Sequence, residues 1–396
     1  MKLFLFALVF VVSMPANANA KTLASPEIAA RSYMLIDLTA NQILASKNID
    51  EQMEPASLTK LMSAYLVFDA IRRHKITLEQ ALPVSRRAWK MPGSRMFIDP
   101  KMNVPVEDLI KGMVVQSGND ATVALAEGVA GSVERFVELM NEQAKSLGMA
   151  NTSYKNPEGL TQAGHTTTAR DLSTLATKLL QDFPEDVKYY SIKSYHYPGT
   201  PEANDKNRNT LLFRDPSVDG LKTGYTKAAG YCLISTAKRD YASVGPVGIP
   251  GAAVKGEGSR RLLSVVLGSK SSLSRAVESQ KLLNWGFSAF ESVKLFDANA
   301  LIASPVIWKG EAGVVKVGSS KTIVVTVPYG AAPKLKTQII RADPLVAPFS
   351  KGQQLGMLRV TNGEEVVAEI PLQALEAVKE ADFIRRAWDS LRLWVK

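Results

Sequence analysis

The sequence predicts an α+β fold: a helical cluster beside an antiparallel sheet, then a small all-β domain and a terminal amphipathic helix. Helix-like and strand-like patterns are mixed over residues 31–290. From Glu291 onwards, short β-branched runs alternate with Gly and Pro turns. The last twenty-one residues carry an apolar stripe at helical spacing. A chain of 396 residues also exceeds one ordinary domain, so we expect a large domain and a smaller one.

The N-terminal residues predict a secretory signal peptide at 1–20. Lys2 precedes an apolar run over 3–12, and small residues at 18–20 suit the −3 and −1 positions of a cleavage site. The apolar run is too short to span a hydrocarbon layer of about 30 Å. We therefore expect an exported protein whose mature chain starts at Lys21.

Composition limits the partners and cofactors. The chain is 46% hydrophobic and carries a formal net charge of +10, which favours anionic partners. Export and the absence of a binding motif argue against nucleic acid, so a membrane or envelope surface fits better. Cys232 is the only cysteine, so an intrachain disulfide is excluded. No Cys/His cluster is present, and we expect neither a metal site nor another cofactor.

Periodicity predicts the elements of the first domain. Two strands flank the turn-prone residues 39–41, and a long helix runs from about Ser57 to His74, apolar on nearly every side as in a buried helix. Thr168 and Asp171 form a capping box for a later helix, and Asp171 is more readily a cap than an activator of water. The Gly/Pro-rich residues 243–258 predict an exposed loop. The other expected elements are helices at 106–115, 119–130, 133–147 and 273–290, and strands at 31–37, 42–46, 218–223, 231–236 and 262–267.

The C-terminal part predicts a second, all-β domain that lacks catalytic residues. Its expected strands are 314–317, 322–327, 336–340, 356–360 and 366–370. After it, the apolar stripe of the terminal helix consists of Ala377, Ala381, Ile384, Trp388, Leu391 and Val395. Nine charged residues in this segment exclude a membrane-spanning helix. An amphipathic helix lying on an anionic lipid surface is the interpretation we favour, and a helix packed on the β domain is the alternative.

Three short strings occur in order: Ser57-Leu58-Thr59-Lys60, Ser117-Gly118-Asn119 and Lys222-Thr223-Gly224. Residues three apart on a helix share a face, so Lys60 can reach Ser57. Lys60 acts as a base only when neutral, and burial together with a second cation, for which Lys222 is a candidate, lowers a lysine pKa. The glycine of the third string suits a strand edge that a substrate backbone approaches closely.

The context of these strings separates them from chance matches. Ser235 and Lys238 also match the first pattern, but they lie in strand-like sequence, where residues three apart face opposite sides. Ser46 and Asn48 match the second pattern before any catalytic helix. The chain has only three histidines, which makes a serine–histidine mechanism unattractive, and His165 is expected to be a surface residue.

This ordered set resembles the serine penicillin-recognising family, and the whole chain is similar in architecture to its low-molecular-mass D-alanyl-D-alanine carboxypeptidases. Further similar segments are 156–160, 168–172 and 218–221. The resemblance implies a β-lactamase/transpeptidase-like domain over 21–290, an all-β domain over 291–373 and a membrane-anchoring helix over 374–396. It also implies location at the periplasmic face of the inner membrane.

The resemblance implies a role for each site residue. Ser57 attacks the carbonyl of the penultimate D-alanine of a peptidoglycan stem peptide, and Lys60 takes its proton and later serves deacylation. The remaining implied roles are proton relay by Ser117 and Lys222, peptide binding by Asn119 and Gly224, carboxylate binding by Thr223 and Arg208, and oxyanion binding by the N–H groups of Ser57 and Tyr225. β-Lactams would acylate the same serine. The family often has histidine where this chain has Tyr225.

Three other functions remain open at this point. A class A β-lactamase uses a glutamate for deacylation, in a loop motif that is not found between Asn119 and Lys222. A D,D-endopeptidase would cut cross-linked dimers instead of pentapeptides. An envelope-binding protein would keep the motifs without turnover.

Overall fold

A five-stranded antiparallel sheet with the order β2-β1-β7-β6-β5 organises the first domain of this computed structural model, which describes residues 23–199, 201–244 and 255–395. The signal peptide expected at 1–20 lies outside these ranges. The strands are β1 Ser32–Asp37, β2 Gln42–Lys47, β5 Val218–Thr226, β6 Gly230–Val244 and β7 Lys255–Ser269. A separate two-stranded antiparallel sheet pairs β3 Ala81–Pro83 with β4 Asn103–Pro105.

Both faces of this sheet are covered, which explains why its central strands are apolar on both sides. Met34 and Ile36 of β1 face the helical cluster, whereas Leu35 between them packs with the helix on the opposite face. The cluster contains α1 Lys60–Arg72, α2 Arg86–Trp89, α3 Val106–Lys111, α4 Asn119–Ala130, α5 Val133–Ser146 and α6 Ala169–Asp182. The opposite face carries α7 Ser272–Ala289. The expected α+β architecture is confirmed.

The predicted loop at 243–258 is only partly a loop. Strands β6 and β7 are longer than expected, and Val244 pairs with Lys255 at their ends. Residues 245–254 lie outside the described part of the chain. Gly-rich sequence shows no hydrophobic alternation, so the sequence pattern predicted a loop here. Cross-strand pairing nevertheless extends both strands into this stretch.

The predicted capping box at α6 is half formed. Thr168 accepts a hydrogen bond from the backbone N–H of Asp171 at 3.1 Å, as an N-cap residue does. The carboxylate of Asp171, however, accepts from the N–H of Asn151 and the hydroxyl of Thr152. The prediction that Asp171 caps its own helix was therefore wrong, because its side chain binds the preceding loop to the helix instead.

The second domain consists of short antiparallel strands. β8 Phe290–Phe296 pairs with β10 Ile323–Pro328, and a four-stranded sheet has the order β11-β12-β13-β9. The strands of that sheet are β9 Val317–Gly318, β11 Leu335–Arg341, β12 Gln354–Asn362 and β13 Glu365–Ala374. The strand expected at 314–317 is shorter than predicted, since Val314 forms only an isolated bridge with Val306.

The terminal helix α8 spans Phe383–Val395, so it begins later than the predicted residue 374. Val378 pairs with Phe349 and Glu380 with Gly310, which keeps this stretch extended against the β domain. The apolar stripe consequently loses Ala377 and Ala381, of which Ala381 is buried. Within the described residues, the structure contains no helix that is both long and apolar enough to cross a membrane.

The two domains meet beside the β1–β2 turn. The Asp37 carboxylate accepts hydrogen bonds from Arg260 and from the hydroxyl of Thr326, both at 2.6 Å. Gln42 exchanges hydrogen bonds with the backbone of Thr326 in β10. This junction lies at the opposite side of the sheet from β5, which borders the site described next.

Candidate active site

The turn that carries Ser57 is a 3-10 segment, Ala56–Thr59, leading directly into α1. Thr59 Oγ1 donates to the carbonyl of Ala56 at 2.8 Å and accepts from His165 Nε2 at 2.9 Å. The other ring nitrogen of His165 accepts from the N–H of Lys155. His165 is 2% exposed, and burial lowers its pKa to about 4. The prediction of a surface histidine was wrong. His165 is neutral and buried, and it supports the turn Ala56–Thr59, which we call the nucleophile turn.

Lys60 is positioned to take a proton from Ser57. Its Nζ lies 3.2 Å from Ser57 Oγ, 2.7 Å from Asn119 Oδ1 and 2.6 Å from the carbonyl oxygen of Glu158. Burial lowers the pKa of Lys60 to about 7; nearby Glu158 opposes this shift and the cation Arg208 adds to it. A large fraction of Lys60 is therefore neutral near neutral pH, as a general base requires.

Two cations lie near enough to Lys60 to act on it, one of them expected from the sequence. Lys222, the cation that the sequence suggested, interacts electrostatically with Lys60, and Arg208 also lowers the pKa of Lys60. The pKa of Lys222 is itself held well below its ordinary value by burial, and then by Lys60, Arg208 and Arg275. The cleft thus concentrates four cationic side chains, which favours an anionic substrate group.

The second serine–lysine pair is formed by Ser117 and Lys222. Lys222 Nζ donates to Ser117 Oγ at 2.9 Å and to the carbonyl of Thr223 at 3.2 Å. Ser117 follows the π-helical turn Gly112–Gln116 and has a left-handed backbone with φ of 60°. Such strain in a non-glycine residue is typical of functional sites.

Asn119 connects the first pair to the wall of the cleft. While its Oδ1 accepts from Lys60, its Nδ2 donates to the carbonyl of Pro92 at 2.7 Å. The buried carboxylate of neighbouring Asp120 accepts from the N–H groups of residues 96–98. These bonds hold the segment 92–98 against the start of α4.

The remaining sequence-predicted residues line one cavity of about 690 Å³. Its wall includes Ser57, Ser117, Arg208, Thr223, Gly224 and Tyr225, while Lys60 and Lys222 lie buried behind it. Arg208 donates to Ser94 Oγ at 2.7 Å. A Cβ on Gly224 would lie 3.3 Å or less from Leu58 and Ala56, so β5 packs directly on the nucleophile turn.

Sequence reasoning missed Arg275 and gave Glu158 no role. Arg275 in α7 lines the cavity and donates to the carbonyl of Gly224 at 3.0 Å; burial lowers its pKa to about 10. Its guanidinium also lies over the ring of Tyr231. The centroid of that ring is 4.2 Å from the centroid of the Tyr225 ring, and the two rings are tilted by 30°. Glu158 lies in the segment 156–160 that carried part of the resemblance, but only folding shows that it lines the cavity.

The described residues contain no group of three His, Cys, Asp or Glu side chains placed to hold a metal ion. The side chains at the cavity are two hydrogen-bonded serine–lysine pairs, an asparagine that contacts the first lysine, and two guanidinium groups. Such a set can transfer an acyl group to Ser57 and bind a carboxylate.

Comparison with known proteins gives consistent matches over nearly the whole chain. Residues 19–250 match the family model described as D-alanyl-D-alanine carboxypeptidase, and residues 290–380 match the penicillin-binding protein 5 C-terminal domain. D-alanyl-D-alanine carboxypeptidase DacC of Escherichia coli (strain K12) is 37% identical over 391 residues, 97% of this chain and 92% of that protein. DacA of Haemophilus influenzae is 36% identical over 376 residues, 94% of this chain and 91% of that protein.

A solved structure agrees with these sequence matches. Penicillin-binding protein 5 from Haemophilus influenzae superposes with a TM-score of 0.81 at 35% identity, covering 90% of this chain and all of that one.

Proposed function

The chain belongs to the D-alanyl-D-alanine carboxypeptidase family of serine peptidases, and from this premise we propose how its own residues carry the reaction. It is a serine-type D-alanyl-D-alanine carboxypeptidase of peptidoglycan metabolism. The observation that most supports the assignment of roles is the pair of serine–lysine hydrogen bonds facing one cavity, with Asn119 bound to Lys60.

In the acylation step, Ser57 Oγ attacks the carbonyl of the penultimate D-alanine as its proton moves to neutral Lys60. The 3.2 Å separation of the two groups supports this transfer. The backbone N–H groups of Ser57 and Tyr225 bind the oxyanion. Ser117, hydrogen-bonded to Lys222, then delivers a proton to the leaving amine of the terminal D-alanine. The products of this step are an acyl-enzyme and free D-alanine.

The terminal carboxylate of the substrate binds Arg208 and Thr223. Both line the cavity, and guanidinium geometry suits a carboxylate. Gly224 allows the substrate backbone to lie along β5. Tyr225 stands where the family often has histidine, and this change keeps the backbone N–H that would bind the oxyanion. The tyrosine side chain is 51% exposed and shapes the rim of the cleft.

β-Lactams acylate the same serine, since they present a reactive carbonyl and a carboxylate in one small molecule.

We further propose that residues 1–20 direct export, and that the mature protein works at the periplasmic face of the inner membrane. Attachment would be peripheral, through α8 on an anionic lipid surface. The exposed apolar residues of that helix support this part of the proposal.

The variant Ser57→Ala tests the assignment. We expect it to lose both labelling by fluorescent penicillin and release of D-alanine from pentapeptide, measured by mass spectrometry with and without penicillin. Ser191→Ala, which removes an exposed hydroxyl, serves as the matched control and should keep both activities. Persistence of either activity in Ser57→Ala would refute the role of Ser57. Cross-linked dimers offered in parallel will measure any endopeptidase activity.

A further inference from the structure

Glu158 is a buried acidic residue of the cavity wall that the acylation mechanism does not use. It is 5% exposed, and it lines the same cavity as Ser57. Its own backbone N–H hydrogen-bonds its carboxylate, and no other donor among the described residues reaches that group. A buried acidic group with free acceptor capacity at a cavity wall calls for a partner that enters with the substrate or solvent.

The segment that carries Glu158 is held rigidly against the nucleophile turn. Lys60 donates to the carbonyl of Glu158 at 2.6 Å, and Ser63 donates to the carbonyl of Pro157 at 2.6 Å. Asn156 Oδ1 accepts from the N–H of Gly159 at 2.7 Å. A Cβ on Gly159 would lie only 1.9 Å from the carbonyl oxygen of Ala56, so the two backbones are in contact. The position of Glu158 is thereby set relative to Ser57 before substrate arrives.

The charged groups near Glu158 act on its carboxyl without forming an ion pair with it among the described residues. Burial raises the pKa of its carboxyl, whereas Lys60 of α1 and Arg87 of α2 lower it. No ion pair within 4.0 Å joins Glu158 to Lys60 in the described part of the chain, because the three hydrogens of the Lys60 ammonium point to Ser57, Asn119 and the Glu158 carbonyl. A raised pKa brings a carboxylate closer to the range in which it accepts protons efficiently.

We propose that Glu158 is a catalytic residue of deacylation, which binds and deprotonates the water that hydrolyses the acyl-enzyme. This inference rests on the proposed function. The water oxygen forms a bond to the acyl carbon as one water proton moves to Glu158. The tetrahedral intermediate then breaks its bond to Ser57 Oγ, which takes a proton from the Lys60 ammonium and so restores the neutral amine, while Glu158 releases its proton to solvent. One water is consumed, and the peptide leaves with a new carboxyl group.

The variant Glu158→Gln keeps the size of the side chain and removes the base. The enzyme is labelled with fluorescent penicillin at about pH 8, where Lys60 is largely neutral with or without the Glu158 charge. The label's rate of appearance measures acylation, and its loss after removal of free penicillin measures deacylation. We expect unchanged acylation and a penicilloyl half-life longer by roughly 10²-fold or more. The matched control Glu138→Gln removes an exposed carboxylate on α5 and should change neither rate.

The outcomes separate this inference from the proposed function. Unchanged loss of label in Glu158→Gln, or an equal slowing of acylation and deacylation, would overturn the role of Glu158. If thermal melting shows that Glu158→Gln does not fold, Glu158→Asp keeps the charge on a shorter arm and should slow label loss alone; normal label loss there overturns it equally. Failure of the unmodified enzyme to be labelled would instead contradict the proposed function.

Discussion

At the scale of single residues, burial lowers the pKa of two lysines, Lys60 to about 7 and Lys222 to well below its ordinary value. Lys60 and Lys222 are enclosed by the domain core, and each has a serine hydroxyl within hydrogen-bonding distance. An ammonium group loses hydration on burial, so its neutral form gains relative stability and its pKa falls. The same burial keeps His165 neutral and restricts it to supporting the turn before Ser57.

The pKa of Lys60, about 7, predicts the pH dependence of acylation. The active base is the neutral amine, so the acylation rate should rise as pH increases through about 7 and fall about tenfold for each pH unit below it. The second-order rate constant for labelling by fluorescent penicillin, measured across this range, tests the expectation. Lys60→Arg should abolish labelling because a guanidinium stays charged, whereas Lys75→Arg, at an exposed position, should preserve the profile. A rate constant independent of pH below 7 would contradict Lys60 as the base.

At the scale of elements, three segments distant in sequence hold the nucleophile turn. Gly159 packs on the carbonyl of Ala56, Gly224 of β5 packs on Leu58, and His165 binds Thr59. Ala56 itself has a left-handed backbone with φ of 47°, a conformation that surrounding contacts must maintain. The geometry of Ser57 therefore depends on the loop 156–160 and on β5 as much as on α1.

Gly159→Ala tests this dependence. Gly159 has φ of 90°, and its new Cβ would collide with the carbonyl of Ala56, so we expect destabilisation together with slower acylation. Gly148→Ala is the matched control, because φ is 77° there but no atom lies within 4 Å of the new Cβ. The control should cost only about 1–2 kcal/mol of unfolding free energy, the cost of a left-handed alanine. Equal losses in the two variants, measured by thermal unfolding and penicillin labelling, would argue against the packing contact.

At the scale of the whole molecule, the catalytic cavity borders β5, whereas the β domain contacts the first domain beside the β1–β2 turn. The polar face of α8 contacts the β domain: Asp389 accepts from the N–H of Lys309, Arg385 donates to the carbonyl of Glu311, and Arg392 lies over the Trp308 ring. The apolar face remains open, with Ile384 81% and Trp394 88% exposed. The helix thus packs on the β domain, yet its apolar stripe is free for a lipid surface.

This arrangement predicts a test with vesicles. Trp388→Glu should weaken binding to anionic phospholipid vesicles by roughly tenfold or more, since it removes an aromatic side chain that would enter the lipid surface and adds repulsive charge. Leu301→Glu makes a comparable change at an exposed apolar site of the β domain and should leave binding unchanged. Cosedimentation at low and high salt measures both, and high salt should weaken the interaction of the unmodified protein. Equal binding of the two variants would contradict attachment through α8.

The sequence by itself determined the succession of elements and the reacting residues of the three strings. Hydrophobic periodicity is a local property, so it predicted α1, α4, α5 and the β domain directly. The three-residue spacing of Ser57 and Lys60 likewise predicts their contact on a helix. Local patterns mispredicted element boundaries that depend on contacts with distant segments. Examples are the extended ends of β6 and β7 and the late start of α8.

Only the tertiary structure decided what surrounds those residues. Arg275 enters the cleft from α7 and Glu158 from the loop before α6, and no spacing in the chain relates either to Ser57. The burial of His165, and the action of Arg208 on Lys60, likewise arise from contacts between remote segments. The physical reason is that burial and charge act through space, so the pKa values that make serine and lysine reactive exist only after the chain has folded.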